Sequence, residues 1–178
     1  MQKILILTNS INGLYSFRRE LIEELLQNSL NVTISAPNDT RTNYFKDIGC
    51  NMIETNISRR GTNPISDSKL LINYLRSIKK YKPDVVLTYT IKPNVYGGIV
   101  CRLTNTPQIA NITGLGTAIE NKGILEKITL GLYRIGLKKS KCVFFQNKKN
   151  MKFMQANGIG VIKNILINGT GVNISQNN

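Results

Sequence analysis

Side chains suited to holding an oxyanion gather in four short polar stretches of this sequence. The first, Ser58-Arg59-Arg60-Gly61-Thr62-Asn63-Pro64, sets two guanidiniums side by side. Arginine forks pair with phosphate oxygens in two-point geometry, so the stretch suits a phosphate or diphosphate, or else is a solvated loop. In Thr88-Tyr89-Thr90-Ile91-Lys92-Pro93-Asn94, Lys92 can neutralise a phosphate, and Tyr89 and Thr90 can donate to a phosphate or a sugar hydroxyl. In Thr113-Gly114-Leu115-Gly116-Thr117-Ala118-Ile119-Glu120, two glycines let a ligand approach the backbone. Glu120 there can act as a base or bind a sugar hydroxyl, or can simply complement a helix N-terminus. Finally, Thr8-Asn9-Ser10-Ile11-Asn12-Gly13-Leu14-Tyr15 carries one glycine ahead of a helical pattern. That is either a modest anion site at a helix N-terminus or a glycine that only lets the chain turn.

The missing residue types narrow the chemistry. The chain contains no histidine, which excludes His-dependent triads and His-ligated metals within it. Neither G-x-G-x-x-G nor a Walker A stretch occurs at the first turn, which argues against a dinucleotide or a P-loop nucleotide. The three cysteines, Cys50, Cys101 and Cys142, are far apart and match no metal spacing. Cys142 opens an apolar run and reads as a buried free thiol, suited to a reducing compartment. The net charge of +14 favours an anionic partner such as a phosphorylated substrate or an acidic bilayer. Aromatic residues do not cluster as in single-strand platforms, and no nucleic-acid motif is present, so nucleic acid is not expected. The apolar run at Ile4–Leu7 is too short for a signal peptide, and no stretch is long enough to span a bilayer.

These stretches need elements to position them, and the hydrophobic periods supply a set. Strands are expected at 3–8, 31–36, 51–55, 84–88, 108–112, 141–146 and 163–167. Helices are expected at 16–28, with Ser16 as N-cap, at 42–48, after the loop ending at Pro64 to about Tyr81, and at 94–103, 122–139 and 148–155. In the helix from Lys122, Leu125, Ile128, Leu132 and Ile135 recur at helical spacing. Its Lys127, Arg134, Lys138 and Lys139, with Lys141 just after, suit either a basic amphipathic element on anionic lipid or an ordinary helix covering a sheet. Strand–helix alternation with near-continuous apolar strands predicts an α/β fold: a doubly wound, mostly parallel sheet with helices on both faces. Ligands of such sheets bind beyond the carboxyl ends of the strands, where all four polar stretches fall.

In this order and spacing the motifs resemble family 4 glycosyltransferases of the GT-B fold. The opening Lys3–Leu7 run with Gly13, Tyr15, Phe17-Arg18 and Leu21 looks like that family's start. Ser58–Pro64, Tyr81-Lys82-Pro83-Asp84-Val85-Val86, Thr90–Asn94, Thr113–Gly116 and Phe144-Phe145-Gln146-Asn147 resemble a bacterial branch. That branch contains galactosyl- and N-acetylgalactosaminyltransferases acting on undecaprenyl-diphosphate sugars in capsule, O-antigen and glycan synthesis. Asn168-Gly169-Thr170-Gly171-Val172-Asn173 is similar to the family's hinge into a second domain.

The resemblance implies a Rossmann-like acceptor-side domain over 1–172, a frayed tail at 173–178, and a donor domain that is absent or separate. The implied reaction moves a hexose or N-acetylhexosamine from a nucleotide sugar, such as a UDP-sugar, to a lipid-linked acceptor, with retention, no metal and no other cofactor. Gly13 and Leu14 would approach the donor diphosphate. Tyr15, Arg18, Arg59, Arg60, Asn63, Lys92, Thr113 and Gly114 would serve the acceptor. Thr90 and Glu120 would act at the reacting sugars. A cytoplasmic location, peripheral on the inner face of the plasma membrane, follows from the lipid acceptor. The family's glutamate pair, eight positions apart, has no counterpart here, so little activity is expected without a partner domain. A truncated gene, an excised domain and half of a split enzyme all fit. The alternative function is a non-catalytic diphosphate-lipid or nucleotide module of the same fold.

Overall fold

Apolar runs rich in Ile, Val and Leu become inner strands because β-branched side chains pack well on a pleated surface. The computed structural model describes residues 1–58, 63–115, 119, 123–159 and 163–167. Along the chain lie β1 (Lys3–Leu7), α1 (Ile11–Gln27), β2 (Asn31–Ala36), α2 (Thr42–Asp47), β3 (Asn51–Glu54), α3 (Pro64–Tyr81) and β4 (Val85–Tyr89). There follow a π-helical turn (Pro93–Gly97), α4 (Gly98–Leu103), β5 (Gln108–Ile112), α5 (Ile124–Gly136), β6 (Cys142–Phe145), α6 (Lys148–Ala156) and β7 (Asn164–Leu166). The seven described strands pair in parallel in the order β3-β2-β1-β4-β5-β6-β7. Strand order reverses beside β1, and a crevice therefore opens at the carboxyl ends of β1 and β4.

Side-chain alternation divides the core between the two faces. Ile4 and Ile6 of β1 pack with Ile11, Leu14 and Ile22 of α1 and Phe45 of α2. Leu5 and Leu7 point the other way, to Leu70, Tyr74 and Ile78 of α3 and Val100 of α4. On the same face as α3 and α4, Ala110, Ile112, Val143 and Phe145 meet Tyr133 of α5 and Met154 of α6. Of their alternates, Phe144 of β6 pairs with Ile165 of β7, and Ile109 of β5 lies two residues nearer the amino rim, beside Cys142. The three alternates are half-buried and belong to none of the core clusters.

Local caps fix the helix ends that point at the crevice. The first helix starts five residues before the expected Ser16 cap: Ser10 is extended, and its hydroxyl accepts from the Gly13 N–H. A serine cap contributes about 1 kcal/mol, enough to offset a glycine in the first turn. Asn63 caps α3 in the same way, ahead of Pro64, and Asn147 caps α6. The helix expected at 94–103 begins as a π turn, and the one expected at 122–139 is shorter. Its inward face also differs from expectation. Thr129, Leu130, Tyr133 and Gly136 are buried, whereas Leu125, Ile128 and Ile135 are exposed. Both faces of this helix are apolar, so periodicity alone does not choose between them.

A buried polar chain seats the π turn on the sheet. Asn94 Oδ1 accepts from Thr88 Oγ1 at 2.7 Å, and Asn94 Nδ2 donates to the Asn111 carbonyl at 3.0 Å. Gln108 Nε2 donates to Thr88 Oγ1 and to the Asn94 carbonyl, each at 3.0 Å, while Ser140 Oγ donates to Gln108 Oε1 at 2.6 Å. Close approach does the rest. A Cβ on Gly98 would lie 2.2 Å from the Gly136 carbonyl oxygen, so α4 and α5 touch backbone to backbone.

Candidate functional site

A cleft of about 350 Å³ opens at the carboxyl rim, lined by Thr8, Ser10, Gly13, Leu14, Phe17, Arg18, Tyr89, Thr90, Thr113 and Gln146. The walls thus come from the ends of β1, β4, β5 and β6 and from the first turns of α1. Among the described residues its one charged lining side chain is Arg18, on the second turn of α1 and only 8% exposed. Arg18 Nη1 donates to the Phe17 carbonyl at 2.7 Å, and the guanidinium stands 5.3 Å from the centre of the Tyr89 ring. No carboxylate pairs with Arg18 among the described residues. A buried cation without a counter-charge is costly, and an arriving anion relieves that cost. Burial pushes the Tyr89 hydroxyl above its ordinary range, and Arg18 beside it pulls the other way.

Thr90 adds strain to this charge. It follows β4 with φ +73°, in the left-handed region that β-branched residues avoid. Its Oγ1 is buried and has no hydrogen-bond partner in the protein among the described residues. Strain of this kind persists where surrounding structure imposes it, as at ligand-binding positions. Here the imposing structure is the π turn, which starts three residues later and is anchored by the Asn94 amide N–H on the Thr90 carbonyl at 3.0 Å. Thr90 thus lines the cleft with a buried hydroxyl that the protein leaves without a partner among the described residues.

The other expected site residues distribute as follows. Gly13, Leu14 and Thr113 line the cleft with Arg18 and Thr90. The Gly13 N–H is already bonded to Ser10 Oγ at 3.0 Å, so it is not a vacant donor for an anion. Gly114 lies exposed just beyond Thr113, with open space where a Cβ would be. Tyr15 is not among the residues that line the cleft: its ring meets Tyr44 edge-on at 4.9 Å, and the guanidiniums of Arg19 and Arg41 stand 4.9 and 4.4 Å from its centre. Asn63 is occupied as the cap of α3, its Oδ1 accepting from the Ile65 and Ser66 amides. Lys92 requires a correction. Its ammonium is buried and bonded to Asp67 Oδ1 at 2.6 Å, while Tyr96 Oη donates to Asp67 Oδ2 at 2.9 Å. A buried ion pair neutralises itself, so Lys92 braces the π turn against α3 and has no spare charge for a ligand. Arg59, Arg60 and Glu120, like the hinge motif at 168–173, lie outside the described residues.

Sequence reasoning gave no site role to Thr8, Ser10, Phe17 or Gln146. Thr8 and Ser10 carried the signal of a hydroxyl beside a strand-to-helix turn. Gln146 reaches the cleft only because β6 is the second neighbour of β4, which is a fact of topology. Among the described residues no three His, Cys, Asp or Glu side chains converge as metal ligands.

Comparison with known proteins decides the family. A family model described as "Glycosyl transferase 4-like" matches residues 3–147. The chain belongs to this glycosyl transferase 4-like family. Among curated proteins, it is 24% identical over 169 residues to an N,N'-diacetylbacillosaminyl-diphospho-undecaprenol alpha-1,3-N-acetylgalactosaminyltransferase of Campylobacter jejuni. That match covers 92% of this chain and 45% of the Campylobacter protein. Among solved structures, a glycosyltransferase from Rickettsia africae superposes with a TM-score of 0.70 at 19% identity, covering 93% of this chain and 42% of that one. HepE of Anabaena, solved with UDP and glucose, superposes with a TM-score of 0.67 at 13% identity, covering 98% and 46%. The glycosyl transferase 4-like chain therefore shares their α/β fold and spans less than half the length of each.

Proposed function

We propose that this chain is the acceptor-side half of a glycosyltransferase that moves a hexose or N-acetylhexosamine from a nucleotide sugar to an undecaprenyl-diphosphate-linked sugar. The observation that carries this reading is the pairing of Arg18 with Thr90 in one cleft. A buried guanidinium without a carboxylate partner fits a phosphate of the acceptor, and an unpartnered hydroxyl beside it fits a sugar hydroxyl. Family membership supplies the reaction class, and the lipid-linked acceptor of the Campylobacter relative agrees in kind. The described cleft walls offer neither carboxylate nor imidazole, so these residues bind and orient while the donor diphosphate itself takes up charge. Retention, the absence of a metal requirement, a donor site on a second domain and a location on the inner face of the plasma membrane belong to the same proposal. So do roles for Arg59, Arg60 and Glu120.

The reading is tested by amide chemical-shift mapping with a short-prenyl diphosphate N-acetylhexosamine that stays in solution. Shifts should centre on Thr8, Arg18, Tyr89, Thr90, Thr113 and Gln146. Shifts confined to the amino ends of the strands, or none at millimolar ligand, would overturn it.

A further inference from the structure

The charge of this chain is not spread evenly. Residues 85–178 carry twelve Lys or Arg against two Glu, and nothing after Glu126 is acidic. The same half carries α5, which is apolar on both faces. Its inward face is filled by Leu130 and Tyr133. Outward it presents Ile124 at 80% exposure, Ile128 at 47% and Ile135 at 47%, with Leu125 at 44% beside them. At 100° per residue, Ile124, Ile128 and Ile135 fall within about 40° of one another, which makes a single stripe along the solvent side. Lys127 and Arg134 fall together along one flank of that stripe, with Lys138 just past the helix end, and all three are exposed. Arg134 Nη2 donates to the Asn157 carbonyl at 2.7 Å, so this flank faces the end of α6, whose Lys148, Lys149 and Lys152 are also exposed. Beyond the C-terminal end of α5, Arg102, Lys138, Lys139 and Lys141 border a second cleft of about 460 Å³ that has no acidic lining residue among the described residues.

An apolar stripe edged by cations, with no carboxylate on it among the described residues, has one natural counterpart. We propose that the outward face of α5 is a docking surface for an anionic phospholipid bilayer. Ile124, Ile128 and Ile135 enter the acyl boundary, and the flanking Lys and Arg meet lipid phosphates. The helix lies in the plane of the interface; no helix among the described residues is long and apolar enough to cross a membrane. Charge complementarity favours this occupant over a second copy of the chain, because two copies meeting at this face would oppose like charges. The location also has a use. Helix α5 returns antiparallel to the strands, so Ile124 lies toward the carboxyl rim, where the Arg18 cleft opens. The inference rests on the lipid-linked acceptor reading only for that use, since docking needs no acceptor.

The test is co-sedimentation of the whole chain with vesicles free of any prenyl lipid, made of phosphatidylcholine alone or with a third phosphatidylglycerol. Binding is expected only to the anionic vesicles, falling at high salt. Lys127→Ser, Arg134→Ser and Lys138→Ser together should weaken it about 100-fold, at about fivefold per cation. Ile124→Asn, Ile128→Asn and Ile135→Asn together should weaken it at least tenfold at any salt concentration, with circular dichroism and melting unchanged because these side chains are exposed. Arg18→Met should leave vesicle binding intact, so failure of the cleft reading and failure of the docking reading give different results. The proposal is overturned if wild-type chain ignores phosphatidylglycerol, or if the folded isoleucine variant binds as well as wild type. It is equally overturned if light scattering shows a dimer that these isoleucine substitutions dissolve.

Discussion

Replacing Thr90 should make the protein more stable and a poorer binder at once. Two costs are located at this residue. A non-glycine residue in the left-handed region costs roughly 1–2 kcal/mol, and Thr90 sits there with φ +73°. A buried hydroxyl without a partner costs roughly 1–3 kcal/mol, and Thr90 Oγ1 is such a group. Thr90→Val keeps the shape and the backbone strain but removes the hydroxyl, so a gain of about 1 kcal/mol is expected. Thr90→Gly relieves both costs, loses a methyl contact and gives up about 0.5–1 kcal/mol to the freer unfolded chain, for a net gain again of about 1 kcal/mol. In a domain of this size that is about 2–4 °C in Tm. Both variants should bind the short-prenyl diphosphate sugar about tenfold more weakly, the value of one hydrogen bond to the ligand. Urea denaturation and calorimetric titration on the same preparations give both numbers. If both variants lose stability, the strain and the vacant hydroxyl are not what the geometry says. If both bind ligand as tightly as wild type, the hydroxyl is not offered to the cleft.

Other consequences of the packing are equally direct. Gly98→Ala should cost about 2–3 kcal/mol in urea unfolding, because the new Cβ would stand 2.2 Å from a backbone oxygen that cannot move independently of α5. Asp67→Asn leaves the Lys92 ammonium buried without its counter-charge and should cost about 3–5 kcal/mol. Asp67→Leu with Lys92→Met should recover much of that loss in the same melts, since the pair is removed as a unit. Stability should also fall in alkali. Burial pushes the Cys50 and Cys101 thiols up to about 12, above their value in the unfolded chain. The folded chain therefore keeps protons that the unfolded chain releases. Their contribution is fully present below about pH 8.5 and is lost as pH rises toward 12. Unfolding free energies measured from pH 7 to 10.5 should decline above about pH 9; a flat profile would refute the burial of these thiols.

Much of the fold was legible because it depends on local pattern. The strands at 31–36 and 108–112 match the expected limits, and the parallel doubly wound sheet follows from the alternation of elements. What the pattern could not show was set by partners distant in sequence. Lys92 reads as a free cation until Asp67, twenty-five positions earlier, is seen beside it. The inward face of α5 could not be chosen because either face could have met the sheet. The sequence places the start of the first helix at Ser16 because Gly13 reads as a turn, and the capping bond from the Gly13 N–H to Ser10 outweighs that. Gly13, Thr90 and the Thr113 stretch stand out by residue type and position, Leu14 and Arg18 only through the family resemblance, and all five line one cleft. The strained conformation of Thr90 carries no sequence signature, because a threonine normally avoids it.

The central claim is that the cleft selects a phosphorylated acceptor through Arg18. It is tested most directly by titrating wild type and Arg18→Met calorimetrically with two ligands, a short-prenyl diphosphate N-acetylhexosamine and the same N-acetylhexosamine on a neutral alkyl chain. Arg18→Met should weaken the diphosphate ligand about 10- to 100-fold, the range of one or two charge-assisted hydrogen bonds, and leave the neutral ligand within about twofold. Equal losses for both ligands, or no loss for the diphosphate, would contradict the claim.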